Sequence, residues 1–183
     1  MAKRLVMMRH GQTDWNAEGR LQGQVDIPLN ETGRQQARDA IAEIHALGQE
    51  AGGWDMVVSS PLGRAVETAR IIADGLALPI GETDAGLIER SFGTAEGVEA
   101  WGLSDEEKGE LFAVAEPTDA VAARGIDALR RIAQLYPGLN VLIVAHGTLI
   151  RLTADALTGA ECPRLDNCET VEIDADLIAE PAL

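Results

Sequence analysis

The sequence predicts an α/β fold: a three-layer α/β/α sandwich with a mainly parallel central sheet. Three short apolar runs carry the prediction, residues 5–8, 56–58 and 141–145. None alternates as a strand wet on one face would, which suits strands buried on both faces of a parallel sheet. Helical patterns follow or separate the runs, and strands alternating with helices build layered α/β domains.

In chain order, the first run leads straight into Arg9-His10-Gly11. From about residue 31 to 47, Ala37, Ile41 and Ile44 recur at helical spacing, with Asn30 placed to cap the helix. The second run ends in Ser59-Ser60-Pro61-Leu62-Gly63-Arg64, which sets Arg64 early in the next helix. Between residues 118 and 136, Ala122, Ile126, Leu129 and Ala133 repeat the helical spacing until Pro137-Gly138 stops it. The third run ends in His146-Gly147, residues 170–173 alternate as a further strand, and residues 179–183 read as a tail. With no repeat and no low-complexity linker, the chain reads as one domain over residues 1–183.

Segment 94–123 stands apart. It holds Glu96, Glu99, Asp105, Glu106, Glu107, Glu110, Glu116 and Asp119 against a single base, Lys108. Such a segment is either a solvated excursion or a lid-like insertion over a site.

Composition narrows the function. At 183 residues the chain can bury one good core. Aromatics are only 3% of the residues, so that core must be aliphatic. A net charge of −15 argues against binding nucleic acid or an anionic membrane, because both would repel it. A few arginines gathered in one cleft can still reverse the local field for a small phosphorylated substrate. Cys162 and Cys168 read as unpaired thiols of a reducing compartment, and neither has an arginine six positions on, as a cysteine-dependent phosphatase loop requires. The first apolar run is broken at Arg9, too short for a secretory core, so the expected location is cytoplasmic. A homodimer is compatible with the sequence.

The chemistry gathers at strand ends. In open α/β sheets the carboxyl ends of the strands form the ligand crevice. His10 and His146 each follow a buried-type strand and precede a glycine, while Arg64 follows the remaining one and Arg9 adjoins His10. Guanidinium forks bind phosphate oxygens through charge-assisted hydrogen bonds. A neutral imidazole is a competent nucleophile at phosphorus once its second nitrogen is fixed by a hydrogen bond. Gly11 and Gly147 would let the backbone approach the phosphate oxygens. A metal fits this cluster poorly, since only two histidines are present and Arg9 touches one of them. His45, within an amphipathic helix, reads as a surface residue.

Arg9-His10-Gly11-Gln12-Thr13, Trp15-Asn16, Leu21-Gln22-Gly23, Ser59-Ser60-Pro61-Leu62-Gly63-Arg64, Glu89-Arg90 and Ala145-His146-Gly147-Thr148 occur in this order. Together they resemble the signature of the phosphoglycerate mutase-like branch of the histidine phosphatases. The resemblance implies that His10 is the phosphorylated nucleophile, and that Arg9, Arg64 and His146 form the phosphate pocket with Asn16. It sets Gln22, Gly23, Gly147 and Thr148 where substrate is contacted. It makes Glu89 the acid that protonates the leaving alkoxide and then deprotonates water, a role that asks for partial burial. No metal and no organic cofactor is implied.

The reaction expected is hydrolysis of a phosphomonoester by a metal-independent phosphatase. The alternatives are a phosphoglycerate mutase, an isomerase, and a non-catalytic protein that binds a phosphorylated ligand. Only 56 residues separate Glu89 from His146, and the insertion among them is acidic. A short acidic lid would repel a second anion and admit water, which favours the phosphatase. Arg90, Lys108 and Arg124 are the bases near enough to meet a substrate's far end, though each reads first as a solvated charge. Trp101 reads as packing.

Overall fold

The computed structural model describes residues 1–178. The strands are β1 (Arg4–Arg9), β2 (Met56–Ser59), β3 (Asn140–Ala145) and β4 (Thr170–Ile173). The helices are α1 (Asp14–Ala17), α2 (Glu31–Gln49), α3 (Gly63–Leu76), α4 (Asp105–Phe112), α5 (Thr118–Leu135), α6 (Gly147–Thr158) and α7 (Ala175–Ile178). One sheet has the order β2-β3-β1-β4, with β1, β2 and β3 parallel and β4 antiparallel to β1. The expected tail at 179–183 lies outside the described residues.

Strand periodicity sorts the apolar side chains onto two faces. Leu5 and Met7 of β1 join Val141 and Ile143 of β3 in a core closed by α5 and α6, through Leu129, Ile132, Leu149 and Ile150. Val6, Met8, Leu142 and Val144 point the other way and meet Ile44 of α2 and Ala65, Ala69 and Ile72 of α3. These are the three layers the sequence predicted. Both faces of β1 and β3 are covered, so their runs need not alternate. Helix α2 begins where expected: the Asn30 side chain accepts from the Gly33 N–H, and buried Ala37 and Ile44 follow.

Register brings the strand ends level. Arg9 pairs with Ala145 and Ser59 with Val144, so His10, Ser60 and His146 leave the sheet together. The His10 and Ser60 N–H groups continue the ladder to the carbonyls of Ala145 and Val144. No helix among the described residues is long and apolar enough to cross a membrane.

Candidate active site

His10 is 3% exposed and His146 is fully buried, with ring centroids 5.1 Å apart in an edge-on arrangement. His10 Nδ1 lies 2.6 Å from the Gly11 carbonyl, which can only accept, so the proton is assigned to Nδ1. Nε2 then carries the lone pair, which accepts from the Arg64 Nε–H at 3.3 Å. Burial, reinforced by Arg64 and Arg9, pushes the His10 pKa well below the ordinary imidazole range. Burial and Arg64 do the same for His146. Both rings are therefore neutral at neutral pH. His146 Nε2 is 2.8 Å from Ser60 Oγ, while its buried Nδ1 has no partner.

Arg64, the second residue of α3, is fully buried. It donates to the carbonyls of Gly23 (2.7 Å) and Val25 (2.8 Å), and no carboxylate lies within ion-pair distance. Arg9 donates to the Leu165 carbonyl, and its Nε has no partner. Burial lowers the pKa of both guanidiniums. Two largely enclosed cations without an ion-pair partner are costly, Glu89 offsetting only part of the cost, and an anion placed between them would repay the rest.

Glu89, 8% exposed, provides the carboxylate. It accepts from the backbone N–H groups of Arg90 (2.8 Å), Leu149 (3.0 Å) and Thr148 (3.2 Å), two of them in the first turn of α6. Its own backbone carbonyl is held by Arg124, which also grips Gly86, Ile88 and the Glu116 carboxylate.

A cavity of about 970 Å³ opens above these groups. Arg9, His10, Asn16, Gln22, Gly23, Arg64, Glu89, Gly147 and Thr148 all line it, as expected from sequence. His146 does not; it supports His10 from inside the protein. Gln22 is nearly buried, with Oε1 lacking a partner. Gly11 departs from its expected role. A Cβ there would overlap the Gly33 carbonyl, so its bareness lets α2 dock against the end of β1. A Cβ on Gly147 would lie 3.3 Å from Arg9 Nε, so that glycine makes room for the guanidinium.

Segment 94–123 corrects another expectation. None of its eight acids lines the cavity, whereas Lys108, Phe112 and Trp101 do. Helix α4 turns half-buried Lys108, Leu111 and Phe112 inward, and leaves Asp105, Glu106, Glu107 and Glu110 exposed. The acids of α4 therefore face solvent, while half-buried Glu96 and Glu116 are taken up by the Gln24 and Phe92 N–H groups and by Arg124, so no acid of the segment stands on the wall that a second anion would meet. Arg90 also lines the cavity, lying 5.5 Å and 5.6 Å from the ring centroids of Phe92 and Phe112. Trp101, 55% exposed, covers Gly19 at the rim. Arg124 is engaged with Glu116 and is absent from the wall.

Sequence reasoning missed the wall formed by Arg151, Leu152, Arg164, Leu165, Asp166 and Asn167. Asn167 donates to the His10 carbonyl at 2.9 Å. Arg151 follows Gly147 by four residues, about one turn of helix, and that spacing was a usable signal. No local pattern marks Arg164 or Asn167. Among the described residues no three His, Cys, Asp or Glu side chains gather as metal ligands.

Comparison with known proteins gives the chain a family. The sequence pattern of the histidine phosphatase superfamily (branch 1) matches residues 5–176. The chain is 37% identical over 167 residues to the uncharacterized phosphatase PhoE of Bacillus subtilis, covering 91% of this chain and 83% of that one. It is 33% identical over 186 residues to the probable phosphoglycerate mutase GpmB of an Enterobacter species, covering 93% and 84%. Its structure superposes on that of mycobacterial glucosyl-3-phosphoglycerate phosphatase with a TM-score of 0.79 and 29% identity, covering 96% and 93%.

Proposed function

The chain belongs to the histidine phosphatase superfamily, and from that premise we propose that it is a metal-independent phosphatase working through a phosphohistidine on His10. The observation that carries this reading is how His10 is held. Its Nδ1–H is tied to the Gly11 carbonyl and its Nε2 is turned towards Arg64, in a hollow with two unpaired guanidiniums.

The reaction follows from these positions. Arg9 and Arg64 bind the phosphoryl oxygens and stabilise the charge that spreads over them in the transition state. His10 Nε2 attacks phosphorus in line, forming the N–P bond as the ester P–O bond breaks. Glu89 gives its proton to the leaving alkoxide. The Nδ1–H bond to Gly11 stabilises the charged ring of the intermediate. Glu89 then takes a proton from water, the water oxygen attacks phosphorus, and the N–P bond breaks to release phosphate. The Gln22 side chain lines the cavity, and its amide N–H is a further donor available to the phosphoryl oxygens. Segment 94–123 acts as the lid, and the cytoplasm, where Cys162 and Cys168 stay reduced, is the compartment this reading assigns.

A mutase remains the second reading, supported by the Enterobacter relative's name and by the basic cavity wall. Rapid quench with a labelled phosphomonoester tests the mechanism. We expect an acid-labile phosphoenzyme in the wild type and none in His10→Ala, which should keep its fold and lose turnover. Turnover surviving in His10→Ala rejects the covalent route. Isomerisation of 3-phosphoglycerate faster than phosphate release selects the mutase.

A further inference from the structure

Among the described residues, the Lys and Arg side chains without an ion pair line this one cavity, with Lys3 and Arg70 the exceptions. In a chain of net charge −15, with thirty acids to pair with, that is a selective arrangement. Arg9 and Arg64 are used by the phosphoryl group. Arg90 lies against two phenylalanine rings and donates to the Glu116 carbonyl. On the wall built by α6 and the loop after it, Arg151 and Arg164 have no assigned role.

Arg151 lines the cavity with its Nε buried and without a partner. Arg164 stands exposed beside Leu165, whose carbonyl is fastened to Arg9, so this wall adjoins the phosphoryl pocket. Its charge is felt at Arg9. Asp166 shares the wall but pairs with neither arginine within ion-pair distance. The two charges of a phosphate ester are already matched by Arg9 and Arg64. Two more cations alongside call for a further negative group on the same ligand.

We infer that Arg151 and Arg164 form a second anion subsite, which selects phosphomonoesters carrying a further carboxylate or phosphate. The inference rests on the phosphatase reading and names its substrate class. It reverses the exclusion of a second anion that the lid's composition suggested.

The test is a matched pair, 3-phosphoglycerate against glycerol 3-phosphate, which differ by a carboxylate in place of a hydroxymethyl group. The wild type should favour the carboxylate ester in kcat/KM by about tenfold or more, the worth of one charge-assisted hydrogen bond. The Arg151→Gln/Arg164→Gln double variant should bring the ratio down to about one, chiefly through KM. Fructose 1,6-bisphosphate against fructose 6-phosphate asks the same of a second phosphate. Arg164→Gln alone, at an exposed position, should lower the ratio even if the double variant folds poorly. A ratio near one in the wild type for both pairs, or a ratio unchanged in the variants, overturns the subsite. Thermal shift with phosphonoacetate against methylphosphonate reads the subsite without turnover, and equal stabilisation by the two also overturns it. Failure of the phosphatase reading looks different: no phosphate is released from any ester, nitrophenyl phosphate included.

Discussion

Replacing Arg64 by methionine separates what the site needs from what the fold needs. A guanidinium has five N–H donors. Arg64 directs three of them to Gly23, Val25 and His10 Nε2, which leaves two for a phosphoryl group. Charge-assisted hydrogen bonds contribute about 1.5–3 kcal/mol each, so two amount to about 3–6 kcal/mol. At about 1.4 kcal/mol per factor of ten, kcat/KM for nitrophenyl phosphate should fall by roughly 10² to 10⁴. Stability should respond differently. The Gly23 and Val25 carbonyls lose partners, at about 1–3 kcal/mol each. Removing a buried cation that has no ion-pair partner offsets a similar amount. In phosphate-free buffer the Tm of Arg64→Met should therefore stay within a few degrees of wild type. Added phosphate at about 100 times its Kd should stabilise the wild type by about 2.7 kcal/mol, or about 5–11 °C in a chain of this size. At the same concentration the variant should gain almost nothing. Phosphate protection that persists in Arg64→Met, or activity within tenfold of wild type, refutes the assignment of this arginine to the anion.

Glu89→Gln keeps an acceptor for the Arg90 and Leu149 N–H groups, which share Oε1, but gives up the one at Thr148 and removes the transferable proton. It should slow alkyl phosphates by about 10² to 10⁴ and nitrophenyl phosphate far less, because a good leaving group needs little protonation; equal slowing would remove Glu89 from the acid role. The buried imidazoles predict a pH dependence of stability. Their folded pKa values lie below the unfolded value of about 6.5, so between the two the unfolded chain binds more protons. Their contribution is complete above about pH 6.5 and is lost as pH falls, at up to about 1.4 kcal/mol per pH unit for each ring. Melting of His10→Asn in phosphate-free buffer between pH 7 and 5 should show a shallower decline than wild type, and identical slopes would contradict the burial argument.

Much of this was legible in the sequence because strands buried on both faces leave an unbroken apolar signature. The runs at β1, β2 and β3 and the spacing in α2 and α5 were readable to within a residue or two. His10, Arg64 and His146 were readable because each follows such a run. What could not be read was direction. The acids of 94–123 were visible, but α4's rotation, which turns Lys108 in and the acids out, depends on where Leu111 and Phe112 find a surface to cover. Gly11 looked like a phosphate contact, and only packing against Gly33 reveals its use. Arg164 and Asn167 come from a loop with no periodicity, and they reach the site because the Cys168 N–H and the Glu169 carbonyl bond with Arg9 of β1.

The level strand ends have a consequence for how such a protein can diversify. On the proposed mechanism the attacking His10 and the phosphoryl-binding Arg9 and Arg64 stand at or just beyond strand ends, whose ladder fixes them relative to one another, whereas the surfaces that would judge the rest of the ligand come from residues 94–123 and the loop after α6. Those two stretches can be exchanged or re-charged without disturbing the ladder. A new preference can then be acquired piecemeal, while the attacking nitrogen stays where it was.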